Sequence, residues 1–451
     1  MTIVALIGGQ WGEEGKGKFT ELLSEHAKVV VRYSGGGNVR QPVVNAHGRF
    51  TLQYIPRSIF NTKTISVLGA GMIIDPKKLV EELDALSEAG IDVSRLYISE
   101  QTHVIMPYHP ILEEQERKAY GTPPIDLLAA GLGPAYADKI SRVGIRIADL
   151  LQEEMFLSRL SKTLAVKNDI LTKVFNQEPL SLHKIYHQYL GYGRQLRERI
   201  FDTRLILQHA ISSGGNHRVL LESDQGSMLD LDFGTYPYVS NVAPTVGAAS
   251  NGSGIPPSAI SGAVGVFGAY ISRVQVGPFP TEMTKEESKP LERFRALPAP
   301  RANGHSAPLL AEGIRRYGWF DAVAARFVVQ LNGLSSMALT YLDGLDEFET
   351  IKICTHYQVH DTILSRHPSD LANLRAAKPL YEEIPGWKTS TANINRYEDL
   401  PAQCQYYIQR IATLSGVRVD IISTGPDREA TIMLRDPFMV VPASRVIALT
   451  T

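Results

Sequence analysis

The opening residues constrain the fold more than any other stretch. Residues 2–7 (TIVALI) form a nearly continuous apolar run rich in β-branched side chains, the pattern of a strand buried on both faces. A glycine-rich loop, "GGQWGEEGKGK", follows directly; residues 18–27 then read as a helix and 28–32 as another strand. Strand, loop, helix, strand requires a parallel pair joined by a right-handed crossover. The order recurs with a strand at 64–68, a helix at 76–89 and a strand at 96–99. Residues 218–222, 338–342 and 420–423 read as further central strands. The expectation is an α/β chain on a large, mostly parallel central sheet carrying a P-loop-like phosphate loop. A helix-rich stretch from about 145 to 212 is expected as a helical subdomain inserted beside it.

At 451 residues the chain is long enough for roughly three domains at about 150 residues each, but no linker separates them, so residues 1–451 read as a single domain. Residues 278–308 hold six prolines, many charges and little periodicity, which predicts a mobile loop or lid. A net charge of −1 gives no support to a nucleic-acid or membrane-surface partner. Cys354 and Cys404 fit neither a metal-ligand spacing nor a disulfide framework and read as core thiols. The N-terminus lacks a basic region and a sufficient apolar run for a signal peptide, and no stretch approaches the ~20 apolar residues of a membrane span. A cytoplasmic protein is expected.

Gly12 to Lys18 has the spacing G-x-x-x-x-G-K, but Phe19 stands where the Mg²⁺-ligating hydroxyl of a Walker A loop belongs. A strand ending in glycines and running into a helix offers backbone N–H groups to an anion, and Lys16 and Lys18 add charge there. A plain turn with solvated lysines is the alternative; the strand-before, helix-after context favours phosphate. With no hydroxyl available, the nearest hard donor for a metal is the Glu13 carboxylate. A second glycine turn, "YSGGGNVRQP", follows the next strand and would face the same crevice.

Thr340-Tyr341-Leu342-Asp343 ends a strand in a form close to [N/T]-K-x-D, a base-reading motif of GTP-binding proteins. A carboxylate at Asp343 can accept from guanine N1–H and its 2-amino group, a pairing that adenine does not offer. Alone, T-x-x-D is frequent by chance, and an ordinary turn aspartate is the better reading of it.

Together, "GGQWGEEGKGK", "VVRYSGGGN", "GLGPAYADK", "LDFGTYPYV", "VGPFPTE", "YGWFDAVAAR" and "VDIISTGPDR" resemble, in order and essentially end to end, the adenylosuccinate synthetase family. The resemblance implies a GTP-dependent C–N ligase with Mg²⁺ as cofactor, acting in purine biosynthesis as a homodimer. GTP phosphorylates the 6-oxygen of a purine nucleotide monophosphate, and an amine displaces the phosphate. It implies Glu13 as catalytic base and metal ligand, the Arg40 backbone carbonyl as a second metal ligand, and Lys16 at the γ-phosphate. Gly12, Gly15, Lys16, Gly17 and Lys18 fall on the phosphate side of GTP, and Asp343, Ser423, Gly425 and Pro426 on its guanine pocket. Asn38, Gln225, Ser240 and Arg142 fall on the nucleotide-substrate site, Arg142 entering from the partner subunit.

Several family positions are changed. The catalytic aspartate is Glu13, and the catalytic histidine is Gln41, which can donate a hydrogen bond but no proton. The loop T-T-G-R-G-I-G-P reads Leu127-Leu128-Ala129-Ala130-Gly131-Leu132-Gly133-Pro134. The aspartate loop T-T-G-R-x-R reads Leu310-Ala311-Glu312-Gly313-Ile314-Arg315, leaving Arg315 to clamp the amine substrate's carboxylate. Clustered on the substrate side, these changes point to a ligase of this type acting on substrates other than IMP and aspartate. Adenylosuccinate synthesis itself, and a non-catalytic guanine-nucleotide-binding homologue, stand as alternatives.

Overall fold

The computed structural model describes residues 2–37, 41–45, 47–121, 131–212, 217–274, 276–296 and 315–439. Among them the main, mostly parallel sheet has ten strands: β1 (Thr2–Gly8), β2 (Val29–Ser34), β3 (Ile65–Leu68), β4 (Leu96–Ser99), β5 (Ile200–Phe201), β6 (Arg218–Gly226), β7 (Gly262–Gly268), β8 (Ser336–Thr340), β9 (Val419–Ser423) and β10 (Thr431–Met433). Contacts within the chain cluster into two compact units. One comprises residues 24–222 and 248–255, the other residues 2–23, 223–247 and 256–451.

In the second unit the strand order is β10-β9-β8-β7-β1. The pairs β1–β7, β7–β8 and β8–β9 are parallel, and only β9–β10 is antiparallel. β1 is buried from Ile3 onward, as an apolar run without alternation demands. β7 (GAVGVFG) was not anticipated, although it lies beside β1; three glycines break its apolar pattern. Two helices of this unit matter below: α1 (Lys16–Ser24), which follows the glycine loop, and a later helix, Ala322–Asn332. A four-stranded sheet built on Thr350–Val359 paired antiparallel to Lys378–Pro385 belongs to the same unit.

In the first unit the order is β2-β3-β4-β5, all parallel. The helix α2 (Pro76–Glu88) starts as the sequence dictates: the Asp75 side chain accepts from Lys77 N at 3.0 Å and Lys78 N at 3.4 Å, and Pro76 takes the first turn. Leu79, Leu83 and Leu86 on its apolar face join the core with Leu96 and Ile98 of β4. Between residues 145 and 212 lie α-helices Glu153–Asp169, Leu182–Leu196 and Thr203–Ser212 and the short β5. Of the 278–308 segment, residues 278–296 are described and carry a short helix, Lys285–Ser288, and a 3₁₀ stretch, Lys289–Ala296.

Both cysteines are buried, and burial pushes each thiol well above its ordinary pKa. Among the described residues no helix is long and apolar enough to cross a membrane.

Candidate active site

The glycine loop at residues 8–15 connects β1 to α1 and is organised by a residue that sequence reasoning passed over. Glu14 is buried, and its Oε1 accepts from the backbone N–H of Gln10 at 2.9 Å and of Gly12 at 3.0 Å. Its Oε2 accepts from Lys16 Nζ at 3.1 Å. One carboxylate thereby neutralises the lysine expected at the γ-phosphate and folds the loop round itself. The rear of the loop has no spare room: a Cβ at Gly226 would lie 2.2 Å from the Gln10 carbonyl oxygen and 2.5 Å from Glu14 Oε1. Gln10 closes the same wall through Gly268, whose N–H reaches its Oε1 at 3.0 Å.

Glu13 behaves in the opposite way. Its backbone is left-handed, with φ 63°, and its side chain is 39% exposed, so it projects from the loop while Glu14 turns inward. Glu13 Oε2 accepts from Arg315 Nη2 at 2.8 Å, and Arg315 Nη1 donates to Ser272 Oγ at 2.7 Å. The Glu13 carbonyl accepts from Tyr341 Oη at 2.8 Å. Gly15, at φ 75°, brings the loop so close to Tyr341 that a Cβ would sit 3.1 Å from the phenolic oxygen. Tyr341 therefore does more than replace the motif's lysine; it braces the tip that carries Glu13. Thr340 adds a second brace, donating from Oγ1 to the Glu14 carbonyl at 2.9 Å.

Asp343 lies on a 3₁₀ turn, Leu342–Leu345, directly after Tyr341, which is itself left-handed at φ 59°. Ser423 ends β9, and its hydroxyl donates to the Gly425 carbonyl at 2.9 Å; Pro426 is exposed beside it. Lys18, two residues into α1 from Lys16, reaches this turn. Its ammonium donates to Ser423 Oγ at 2.7 Å and to the carbonyl oxygens of Gly425 at 2.9 Å and Ala430 at 2.8 Å. Burial lowers its pKa to about 8 against the pull of Asp343, Asp427 and Glu429.

Of the residues expected at the nucleotide-substrate site, Gln225 is buried at the end of β6, with its Oε1 in position to lie 3.5 Å from a Cβ placed on Gly12. Ser240 is buried, and among the described residues its Oγ has no hydrogen-bond partner. Arg142 belongs to the other unit; it is exposed and left-handed (φ 64°) just after helix Leu132–Ile140. Asn38, Arg40, residues 127–130 and residues 310–314 lie outside the described residues. Gln41 opens a two-stranded hairpin, Gln41–Asn45 with Gly48–Leu52, and its side chain is likewise outside the description.

Trp11 lies under the loop: its Nε1 donates to Thr235 Oγ1 at 3.3 Å, and the buried Arg273 guanidinium sits 5.1 Å from its ring centroid. Arg273 in turn holds the Val276 carbonyl at 2.7 Å. Neither link has a signature in the sequence.

Mg²⁺ is usually held by one or two carboxylates, substrate phosphate oxygens and water. Among the described residues no group of three or more His, Cys, Asp or Glu side chains could hold a metal by itself. Glu13 fits the first requirement: of the two loop carboxylates it is the one not engaged by backbone N–H groups.

The comparisons with known proteins agree with one another. The family model for adenylosuccinate synthetase matches residues 5–432. An adenylosuccinate synthetase of Limosilactobacillus fermentum is 42% identical over 97% of this chain and 100% of its own length; one of Desulfitobacterium hafniense is 43% identical with the same coverage. The solved adenylosuccinate synthetase of Plasmodium falciparum superposes with a TM-score of 0.86 at 31% identity, over 96% of this chain and all of that one. A cyanophage S-2L succinoaminodeoxyadenylate synthetase shares the fold, with a TM-score of 0.58 at 18% identity over 97% of this chain. A glycine loop folded round Glu14 between β1 and α1, and matches over nearly the whole chain, place this protein in the adenylosuccinate synthetase family, the Mg²⁺- and GTP-dependent carbon–nitrogen ligases.

Proposed function

We propose that this enzyme joins IMP and aspartate at the expense of GTP, giving adenylosuccinate, GDP and phosphate. The relatives that cover nearly its whole length carry that name. The expectation of other substrates rested on Glu13, Gln41 and the loops 127–134 and 310–315; no described contact and no comparison favours a different amine or purine.

The observation that carries the mechanism is the divergence of two adjacent carboxylates. Glu14 is consumed in holding the loop, whereas Glu13 projects from its tip as an exposed group able to accept a proton. Glu13 takes the N1 proton of IMP, which makes O6 nucleophilic toward the γ-phosphoryl group. Mg²⁺, held by Glu13 and the Arg40 carbonyl, would neutralise charge on the β- and γ-phosphates. Lys16 leaves Glu14 for the γ-phosphate, and Gln41 donates a neutral hydrogen bond to the departing GDP oxygen. Asp343 and the 423–426 turn read guanine. Arg315, released from Glu13, orients a carboxylate of aspartate, whose amine then displaces the phosphate from C6. Electrostatic positioning supplies most of the acceleration in such a site.

The test is incubation with GTP, Mg²⁺, IMP and aspartate, with GDP and adenylosuccinate followed by mass spectrometry and a panel of other amines run in parallel. Adenylosuccinate formed in step with GDP is the expected result. GDP release only with a different amine would overturn the substrate assignment and leave the ligase chemistry in place.

A further inference from the structure

Lys18 has the place of a phosphate contact in the sequence, but its ammonium is spent on the base-reading turn. Its three protons are matched by three acceptors: Ser423 Oγ, the Gly425 carbonyl and the Ala430 carbonyl, at 2.7, 2.9 and 2.8 Å. Those acceptors are already tied together. Ser423 Oγ donates to the Gly425 carbonyl at 2.9 Å, and the Ala430 carbonyl also accepts from Thr424 N–H at 3.0 Å. The whole turn between β9 and β10 is thus drawn round one cation that grows out of the helix following the phosphate loop.

Guanine and adenine differ at position 6 in sign: guanine presents an oxygen acceptor, adenine an amino donor. A turn that offered free carbonyl oxygens there would suit adenine. Here the Gly425 and Ala430 carbonyls and the Ser423 hydroxyl oxygen face the ammonium and are withheld. Leaving the wrong ligand's polar group without a partner is one of the two ways to build selectivity, beside attraction to the right one. We propose that Lys18 is a positioning residue for base selectivity, holding the 423–430 turn in the form that admits guanine and gives the adenine amine no acceptor. The proposal rests on the guanine-nucleotide reading above and adds to it the group that enforces the choice.

The charges facing the ammonium are Asp343 on the 3₁₀ turn after β8 and Asp427 and Glu429 on the turn itself. They hold its proton on, while burial works against it and brings the pKa down to about 8. Above that pH the amine has two protons for three acceptors, and one carbonyl is released.

The experiment measures dissociation constants of GDP and ADP by calorimetry for the full-length protein, Lys18→Met and Lys18→Arg, between pH about 7 and about 9. The wild type is expected to prefer GDP. Lys18→Met should reduce that preference at least about tenfold, a change of roughly 1.4 kcal/mol, by weakening GDP more than ADP. Lys18→Arg, which keeps the donors, should retain most of the preference. The wild-type preference should decline toward pH 9, and that of Lys18→Met should be flat. Equal weakening of GDP and ADP in Lys18→Met would make the lysine a phosphate contact and overturn the proposal. If Lys18→Met does not fold, Lys18→Gln, which keeps an amide donor but neither the charge nor three donors, takes its place, and equal weakening of GDP and ADP there overturns the proposal equally. A wild type with no preference for GDP at any pH would remove the guanine reading as well, an outcome separate from a preference that survives the substitution.

Discussion

Glu13 and Glu14 are chemically identical neighbours with opposite fates, and the difference sets a pair of expected outcomes. Glu14→Ala strands two backbone N–H groups and the largely buried Lys16 ammonium, so it should cost about 3 kcal/mol or more in urea unfolding. Glu13→Gln removes a half-exposed ion pair with Arg315 and should cost less than about 1 kcal/mol. It should nevertheless lower turnover by on the order of 10²–10⁴, as loss of a general base does. A Glu13→Gln enzyme with full activity would refute its role as base. Motif spacing was enough to single out Glu13, Lys16, Lys18 and Asp343 as candidates. It did not distinguish the carboxylate that turns inward, because that depends on the left-handed backbone at Glu13 and on N–H groups brought round by the loop. Nor could spacing show that Lys18 points away from the loop, since its partners are about four hundred residues distant along the chain.

At the scale of elements, helix Ala322–Asn332 rests on a cap that carries a pH dependence. Asp321 is fully buried; it accepts from Val323 N and Ala324 N at 3.0 Å each and from the Tyr357 hydroxyl. Burial raises its pKa to about 6. Because the folded value lies above the unfolded value of about 3.9, the stability this group contributes is present below pH about 4 and is lost as pH rises through about 6. Asp321→Asn keeps a good capping side chain without the buried charge. It should therefore gain on the wild type between pH 4 and 7 by at most about 3 kcal/mol, read as the difference in melting temperature at the two pH values. A variant that loses ground as pH rises would contradict the account. Element identity was legible where the apolar pattern was unbroken, as in β1, β4 and α2. β8 was displaced by two residues, because Tyr341 leaves the strand in a left-handed turn that its aromatic side chain does not announce. β7 was missed because its pattern is broken by glycines, one of them required by a close neighbour: a Cβ at Gly268 would lie 2.3 Å from the Tyr270 carbonyl oxygen. That reason exists only in three dimensions.

For the whole molecule, the α/β class followed from repeated strand–helix–strand order, but the grouping into two compact units did not. The chain passes between them inside elements at residues 23–24 in α1, 222–223 in β6 and 247–248 in the helix Val246–Ser253, where no linker composition can mark a boundary, and outside any element at 255–256. The family assembles as a homodimer, and the resemblance assigns Arg142 to the partner's site. Arg142 is exposed in the monomer, so its removal should leave the fold intact. Mixing inactive Glu13→Gln with inactive Arg142→Leu protein after reversible dissociation should restore roughly a quarter of wild-type activity, since half the dimers are hybrids with one intact site each. No recovery would place Arg142 in its own subunit's chemistry, and a fully active Arg142→Leu protein would place it outside the site.

The crowded rear wall of the glycine loop also bears on how such a site can diverge. At Gly226 even one methyl group would collide with the Gln10 carbonyl and with Glu14, so mutation there is closed to drift. At the tip, by contrast, the Glu13 side chain projects outward and is 39% exposed. Substitutions at the tip should therefore be tolerated by the fold where substitutions at the wall are not.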